Sequence, residues 1–335
     1  MKKVGFIYDD IFLAHETPRW HPECKERLIA IIDTLKSSDI WDKIIHIKPR
    51  KADFKDIEAV HTHDYIERLK GMRTGYADPD TYISVNSLEA ALYAAGAVIE
   101  AIDRCKKGEI ERAFCAVRPP GHHAEANKAM GFCIFNNIAV GARYAQKIGY
   151  RKIFIIDFDV HHGNGTQHTF EEDDSVFYFS THQYPHYPGT GNESEKGKGK
   201  GKGFTYNIPM SSGSGDNHYF SAYNEILPSL VEKFAPDMII VSAGYDIHAK
   251  DPLAGINVSD EGIQNIVRGI LSSVERLAFS VQRSAKNSEL RPASGGSAEA
   301  ENPKSDLPVI FTLEGGYNLA ALGNSVLLTV IEMLG

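Results

Sequence analysis

Asp157, Asp159 and His161 alternate through residues 155–165, where an apolar, β-branched run gives way to a glycine-punctuated loop. In an extended chain, side chains two apart share a face, so these three would point the same way. Buried carboxylates are costly to leave unpaired, and a divalent cation held by oxygen and nitrogen ligands is one partner that satisfies them. The plain alternative is an acidic strand end facing water. Upstream, Arg118-Pro119-Pro120-Gly121-His122-His123 follows another apolar run, and its two prolines stiffen the loop so that the adjacent histidines are held. A held histidine pair suits acid–base work, the alternative being two surface histidines. Asp246, in Gly244-Tyr245-Asp246, and Tyr317, in Glu314-Gly315-Gly316-Tyr317, come just past two further apolar runs.

These groups together allow metal-assisted hydrolysis of an amide. With Asp159, His161 and Asp246 as ligands, a divalent metal keeps a position open for water and substrate, acidifies that water and polarises a carbonyl. His123 is the choice for the base that takes the water proton and later protonates the leaving amine, with His122 as its electrostatic and orienting partner. Asp157 and Asn164 can hydrogen-bond the histidines from behind, and the spacing leaves open which pairs with which. Tyr317, on a Gly-Gly hinge, can donate its hydroxyl to a developing oxyanion.

The elements that must position these residues alternate between strand and helix. Apolar, β-branched runs predict strands near 3–8, 44–48, 113–117, 152–156, 175–180, 204–208, 238–243 and 308–313. Helical spacing predicts helices over 23–35, 63–71, 87–105, about 137–149, 165–171, 218–234 and 259–279, and after 317. The first of these helices reads as packing only. Residues 74–86 read as an exposed loop whose Asp78 and Asp80 are candidates for gripping a substrate at a site rim. His15 and His21 read as solvated loop residues, the Lys/Gly tract at 197–203 as a flexible loop, and 280–307 as an insertion of disordered composition. Such alternation implies an α/β fold, a mostly parallel central sheet with helices on both faces, in a single domain. In such sheets ligands bind outside the carboxyl ends of the strands, which is where His122, His123, Asp159, His161, Asp246 and Tyr317 fall.

Composition narrows the partners. The 335 residues carry 36 Lys+Arg against 44 Asp+Glu, a net charge of -8. That balance disfavours direct nucleic-acid binding or an anionic membrane surface and suits a basic peptide or a polyamine. Cys24, Cys105, Cys115 and Cys133 form no C-x-x-C pair, the first ten residues lack a signal-peptide core, and no apolar run reaches membrane-spanning length. A cytoplasmic location is the expectation.

Several runs make a resemblance specific. Arg118-Pro119-Pro120-Gly121-His122-His123-Ala124, Gly131-Phe132-Cys133-Ile134-Phe135-Asn136-Asn137, Asp157-Phe158-Asp159-Val160-His161-His162-Gly163-Asn164-Gly165, Tyr187-Pro188-Gly189-Thr190-Gly191, Ser242-Ala243-Gly244-Tyr245-Asp246 and Leu313-Glu314-Gly315-Gly316-Tyr317 resemble the zinc-dependent histone deacetylase family, its class II and prokaryotic branch best. The resemblance implies an arginase/deacetylase fold, one zinc on Asp159, His161 and Asp246, and catalytic His122, His123 and Tyr317. It also implies an acyl-lysine tunnel walled by Phe132 and Tyr187, and a potassium ion near Asp157, Asp159, His161 and Ser180. Asn164 stands where class I members carry aspartate, and Lys25 where the prokaryotic branch usually has proline. Polyamine-selective relatives place glutamate at the position of Leu253, so acetyl-lysine on a peptide or protein is the expected substrate and an acetylated polyamine the alternative. An arginase-like pair of manganese ions would need a carboxylate where Gly163 stands. An inactive acyl-lysine binding module would be expected to lack the tyrosine or a ligand, and this chain lacks neither.

Overall fold

The computed structural model describes residues 1–289 and 307–335. Its strands are β1 (Val4–Ile7), β2 (Ile45–Ile47), β3 (Gly75–Tyr76), β4 (Tyr82–Ile83), β5 (Arg112–Cys115), β6 (Ile153–Asp157), β7 (Val176–Gln183), β8 (Thr205–Met210), β9 (Met238–Ala243) and β10 (Val309–Leu313). The helices are α1 (Glu26–Lys36), α2 (Phe54–Ile57), α3 (His63–Gly71), α4 (Ser87–Lys106), α5 (Asn137–Lys147), α6 (Asn164–Phe170), α7 (Asp216–Phe220), α8 (Leu227–Phe234), α9 (Asp260–Glu289) and α10 (Leu319–Leu334). Eight strands form one sheet in the order β2-β1-β5-β10-β9-β6-β7-β8, every neighbouring pair parallel. β3 and β4 make a separate antiparallel hairpin.

Every residue of β5, β6, β9 and β10 is buried, as continuous apolar runs require in a parallel sheet covered on both faces. On the helical layers α4 packs against α5, while α10 packs against both α1 and α9, and α9 against α8. α4 ends where the sequence predicts, with Gly108 in the left-handed region just beyond it (φ 70°).

The strand order brings the chemistry together. β5, β10, β9 and β6 are the four central strands. The segments leaving their carboxyl ends carry His122 and His123, Tyr317, Asp246, and Asp159 with His161, respectively.

Three expectations change. Residues 74–86 include the β3–β4 hairpin, whose Tyr76 and Tyr82 rings meet edge-on at 5.1 Å. The helix expected over 218–234 is broken in the middle by a π-helical stretch at Ser221–Ile226. α9 runs on to Glu289, well into the segment expected to be an insertion, because Gln, Arg, Ala, Lys and Glu are strong helix formers whatever their polarity. The rest of that segment, 290–306, lies outside the described residues.

Candidate active site

A narrow cavity of about 100 Å³ opens at these strand ends, lined by His122, His123, Phe132, His161, Tyr187, Leu253 and Tyr317, together with Asp80, Pro120, Gly131 and Gly315. Asp159, His161 and Asp246 bring one donor atom each within 4.8 Å of one another. His161 Nδ1 lies 3.1 Å from Asp159 Oδ1 and 3.1 Å from Asp246 Oδ2. The other carboxylate oxygens are spoken for: Asp159 Oδ2 accepts from Gly315 N at 2.7 Å, and Asp246 Oδ1 from Val160 N at 2.9 Å. Asp246 Oδ2 is buried and, among the described residues, His161 Nδ1 at 3.1 Å is the polar group it faces, in a contact that falls short of hydrogen-bond geometry, so its demand in the middle of the cluster is poorly met.

The alternation along 157–161 does not survive. β6 stops at Asp157, and two consecutive side-chain turns follow: Asp157 Oδ1 accepts from Asp159 N (3.2 Å) and Asp159 Oδ1 from His161 N (2.9 Å). Local side-chain bonds of this kind compete with strand hydrogen bonds. Asp157 therefore points away from the cluster. Its Oδ2 meets His122 Nδ1 at 3.0 Å and accepts from the Tyr178 hydroxyl at 3.1 Å. Gly163 makes this possible, since a Cβ there would sit 2.2 Å from Asp157 Oδ2. The same crowding leaves no room at Gly163 for the extra carboxylate of a two-metal centre.

The histidine pairing left open by the sequence is resolved. His122 faces Asp157, and His123 Nδ1 meets Asn164 Oδ1 at 2.7 Å. Their environments drive them apart. Burial alone would lower His122, but the Asp157 and Asp159 carboxylates outweigh it and push the imidazole up to about 10. Burial lowers His123 well below its ordinary value, and the charges of His122 and His161 lower it further. A cationic histidine beside a neutral one is how paired titratable groups divide acid and base roles. At His161 burial again lowers, and the Asp159 and Asp246 carboxylates raise it to about 10. The field between those carboxylates asks for positive charge, which an imidazole proton or a divalent cation supplies.

The walls are placed by strained backbone. Gly131 (φ 58°) and Phe132 (φ 68°) are both left-handed, and a Cβ on Gly131 would lie 2.3 Å from the His123 ring. The hairpin holds this turn, with Gly131 N donating to Asp80 Oδ1 and Phe132 N to Thr81 Oγ1, each at 3.0 Å. Phe132 then stands edge-on to Tyr317 at 5.9 Å, and Tyr187 edge-on to His123 at 5.2 Å. Asp80 thus lines the cavity while tied to the turn, and Asp78 spends its Oδ1 on the backbone N–H groups of Asp80 and Thr81. Ser180 is outside the cavity, paired in register with Asp157 and hydrogen-bonded to His182 Nδ1 at 2.9 Å.

Several supporting residues escaped the sequence reading. α1 is more than packing: Arg27, completely buried, donates to Gly316 O (2.7 Å) and Glu314 O (2.5 Å) and lies 5.0 Å over the Tyr317 ring. Its position one turn before Ile31, on the apolar face, was the available signal. His15 and His21 are buried, not solvated. His15 bonds Ser87 Oγ at 2.6 Å and lies 3.4 Å from buried Glu23, while His21 Nε2 donates to Asp80 O at 2.9 Å. Glu23 is gripped by Arg118 and Arg27; its i,i+4 spacing to Arg27 was a signal in the linear chain, whereas nothing there pointed to Arg118. Glu314 ties the histidine loop to the sheet, accepting from Gly121 N (2.6 Å), His122 N (3.2 Å) and Ser242 Oγ (3.0 Å). Asp251 Oδ2 accepts from Tyr317 N at 2.6 Å and Asp251 Oδ1 from Leu253 N at 3.1 Å, so one carboxylate sets both cavity residues.

This is the layout of a hydrolase built on a parallel α/β sheet, with its site assembled at the carboxyl ends of the central strands. The chain belongs to the histone deacetylase family, whose model, described as Histone deacetylase domain, matches residues 21–281. It is 36% identical over 324 residues to a probable deacetylase of Archaeoglobus fulgidus, covering 95% of this chain and 88% of the relative. It is 34% identical to histone deacetylase 5 of Arabidopsis thaliana, covering 99% of this chain and 49% of that longer protein. Among solved structures, the crystal structure of the HDA15 HD domain superposes with a TM-score of 0.86 at 32% identity, covering 100% of this chain and 88% of that one.

Proposed function

We propose that the protein is a metal-dependent deacetylase that hydrolyses the amide of N-acetyl-lysine on a peptide or protein. The observation that carries this reading is the convergence of the Asp159, His161 and Asp246 donor atoms beside a cavity lined by His122, His123 and Tyr317. The donors fit a zinc-type ion. Tetrahedral ligands at ~2.0–2.1 Å from zinc stand ~3.3 Å apart, close to the 3.1 Å that separates His161 Nδ1 from each carboxylate, and Asp246 Oδ2 makes no well-formed hydrogen bond that an ion would have to displace. When bound, such an ion acidifies water and polarises the acyl carbonyl. An alkali ion near Asp157, Asp159, His161 and Ser180 is the further cofactor we propose, supported by the register pairing of Asp157 with Ser180.

His123 is neutral, and its Nδ1 is committed to Asn164, which leaves Nε2 to take the water proton and return it to the leaving amine. His122, held cationic by Asp157, adds positive charge where the oxyanion develops. The Tyr317 hydroxyl donates to the same oxyanion, its backbone fixed by Asp251 and its ring by Arg27. Phe132 and Tyr187 flank the alkyl chain, and Leu253 at the wall offers apolar contact with no charge to hold a second amine. Asp80 on the cavity wall favours the alternative substrate, an acetylated polyamine. Four free thiols support a cytoplasmic location.

The test is the ratio of kcat/KM for an acetyl-lysine peptide to that for acetylputrescine and acetylspermidine on one preparation. A ratio above one is expected. A clear preference for the polyamines would overturn the substrate assignment, and no turnover of any of them would leave an acyl-lysine binding module.

A further inference from the structure

Asn164 sets a problem for the proposed base, because a neutral amide stands directly behind His123 with no charge of its own. The structure supplies the charge one bond further out. Asn164 Nδ2 donates to Glu125 Oε1 at 2.5 Å, and the same nitrogen lies 3.3 Å from His123 O and 3.4 Å from Met130 Sδ. Three acceptors around Nδ2 fix the amide so that Oδ1 must face His123, and an amide oxygen can only accept. His123 Nδ1 is therefore the donor, and Nε2 is its basic nitrogen. Glu125 is itself anchored. Its Oε1 accepts from Nδ1 of exposed His168 at 2.9 Å, its backbone N–H donates to Lys128 O at 3.0 Å, and its carbonyl accepts from buried His61 at 2.9 Å.

We propose that Glu125 is a positioning residue for the deacetylation: through the Asn164 amide it fixes the tautomer of His123 and lends negative charge to the imidazolium formed in the transition state. This rests on the function proposed above. Burial raises the Glu125 carboxyl, but its bonds from His168 and Asn164 outweigh burial and hold it below its ordinary value, so the group is anionic at neutral pH. A carboxylate acting through an amide does the work that a carboxylate in direct contact with the imidazole would do.

Glu125→Gln keeps an acceptor for Asn164 and removes only the charge. It should lower kcat on an acetyl-lysine peptide about 10- to 100-fold with KM within about twofold, the range for losing an outer partner of a site residue. Asn164→Asp alone sets two carboxylates against each other and should also be impaired. Asn164→Asp in the Glu125→Gln background puts the charge directly on His123 and should recover most of the activity. A residue that merely tied the loop to α6 would show neither the kcat-specific loss nor the recovery. Wild-type kcat in Glu125→Gln, or a double variant no better than Asn164→Asp, would overturn the inference. Should Glu125→Gln not fold, ¹⁵N NMR of His123 in the wild-type protein decides: Nδ1 protonated supports the inference and Nε2 protonated overturns it. A wild-type protein inactive on every acetylated amine would count against the proposed function instead, and the tautomer measurement would still judge this inference separately.

Discussion

Removing one oxygen from Tyr317 is the sharpest probe of the proposed oxyanion donor. The ring is held on two sides, by Phe132 edge-on at 5.9 Å and by the Arg27 guanidinium 5.0 Å over its face, and the backbone N–H is bonded to Asp251 at 2.6 Å. None of these contacts uses the hydroxyl, so Tyr317→Phe should keep the ring, the fold and the cavity wall. What is lost is one preorganised donor to a charge that exists only in the transition state, which is worth about 2.7–4 kcal/mol. At about 1.4 kcal/mol per decade this is a fall in kcat of ~10²–10³. Because a ground-state carbonyl gains little from the same bond, KM should stay within about threefold. The assay is steady-state cleavage of an acetyl-lysine peptide, with metal content and melting temperature measured on the same samples. Full kcat in Tyr317→Phe, with metal and stability unchanged, would refute the role assigned to the hydroxyl.

Metal analysis of the purified protein should find about one zinc-type ion per chain, and Asp246→Ala should remove the ion and the activity together, since it deletes one of three converging donors; two stoichiometric manganese ions would contradict this. Leu253→Glu places a carboxylate on the cavity wall and should move the kcat/KM ratio towards acetylated polyamines, an unchanged ratio showing that selection lies elsewhere. Glu23→Gln leaves Arg118 and Arg27 buried against a neutral amide and should destabilise the protein by about 3–5 kcal/mol at pH 7, measured by denaturant unfolding. Burial raises the Glu23 carboxyl, but Arg118 outweighs it and holds it well below its ordinary value. A depressed folded-state pKa contributes stability that is complete above the unfolded value of about 4.3 and is lost as pH falls below it, so the gap between wild type and variant should narrow in acid. A gap independent of pH would mean that the carboxylate charge is not what stabilises the cluster.

Much of the fold and site was legible in the chain itself. Eight apolar runs separated by helical periodicity were enough for a parallel α/β sheet, because strands buried on both faces must be apolar throughout. Residue type and position after each run were enough to nominate His122, His123, Asp159, His161, Asp246 and Tyr317, since polar groups just past buried strands have few other places to be. What tertiary structure alone decided is pairing. That β5, β10, β9 and β6 lie side by side depends on pairings between strands distant in sequence, β5 with β10 across more than half of the chain, and no local pattern encodes them. The match of His122 with Asp157 and His123 with Asn164 depended on the turns after β6, where side chains bonded to the backbone two residues on and ended the alternation that the linear reading assumed. Arg27, Glu125 and Asp251 looked like ordinary polar residues of a helix and two loops. Their roles come from partners 39 to 289 residues away, and hydrogen bonds, which act over about 3 Å, become visible only when the chain has brought both ends to the same place.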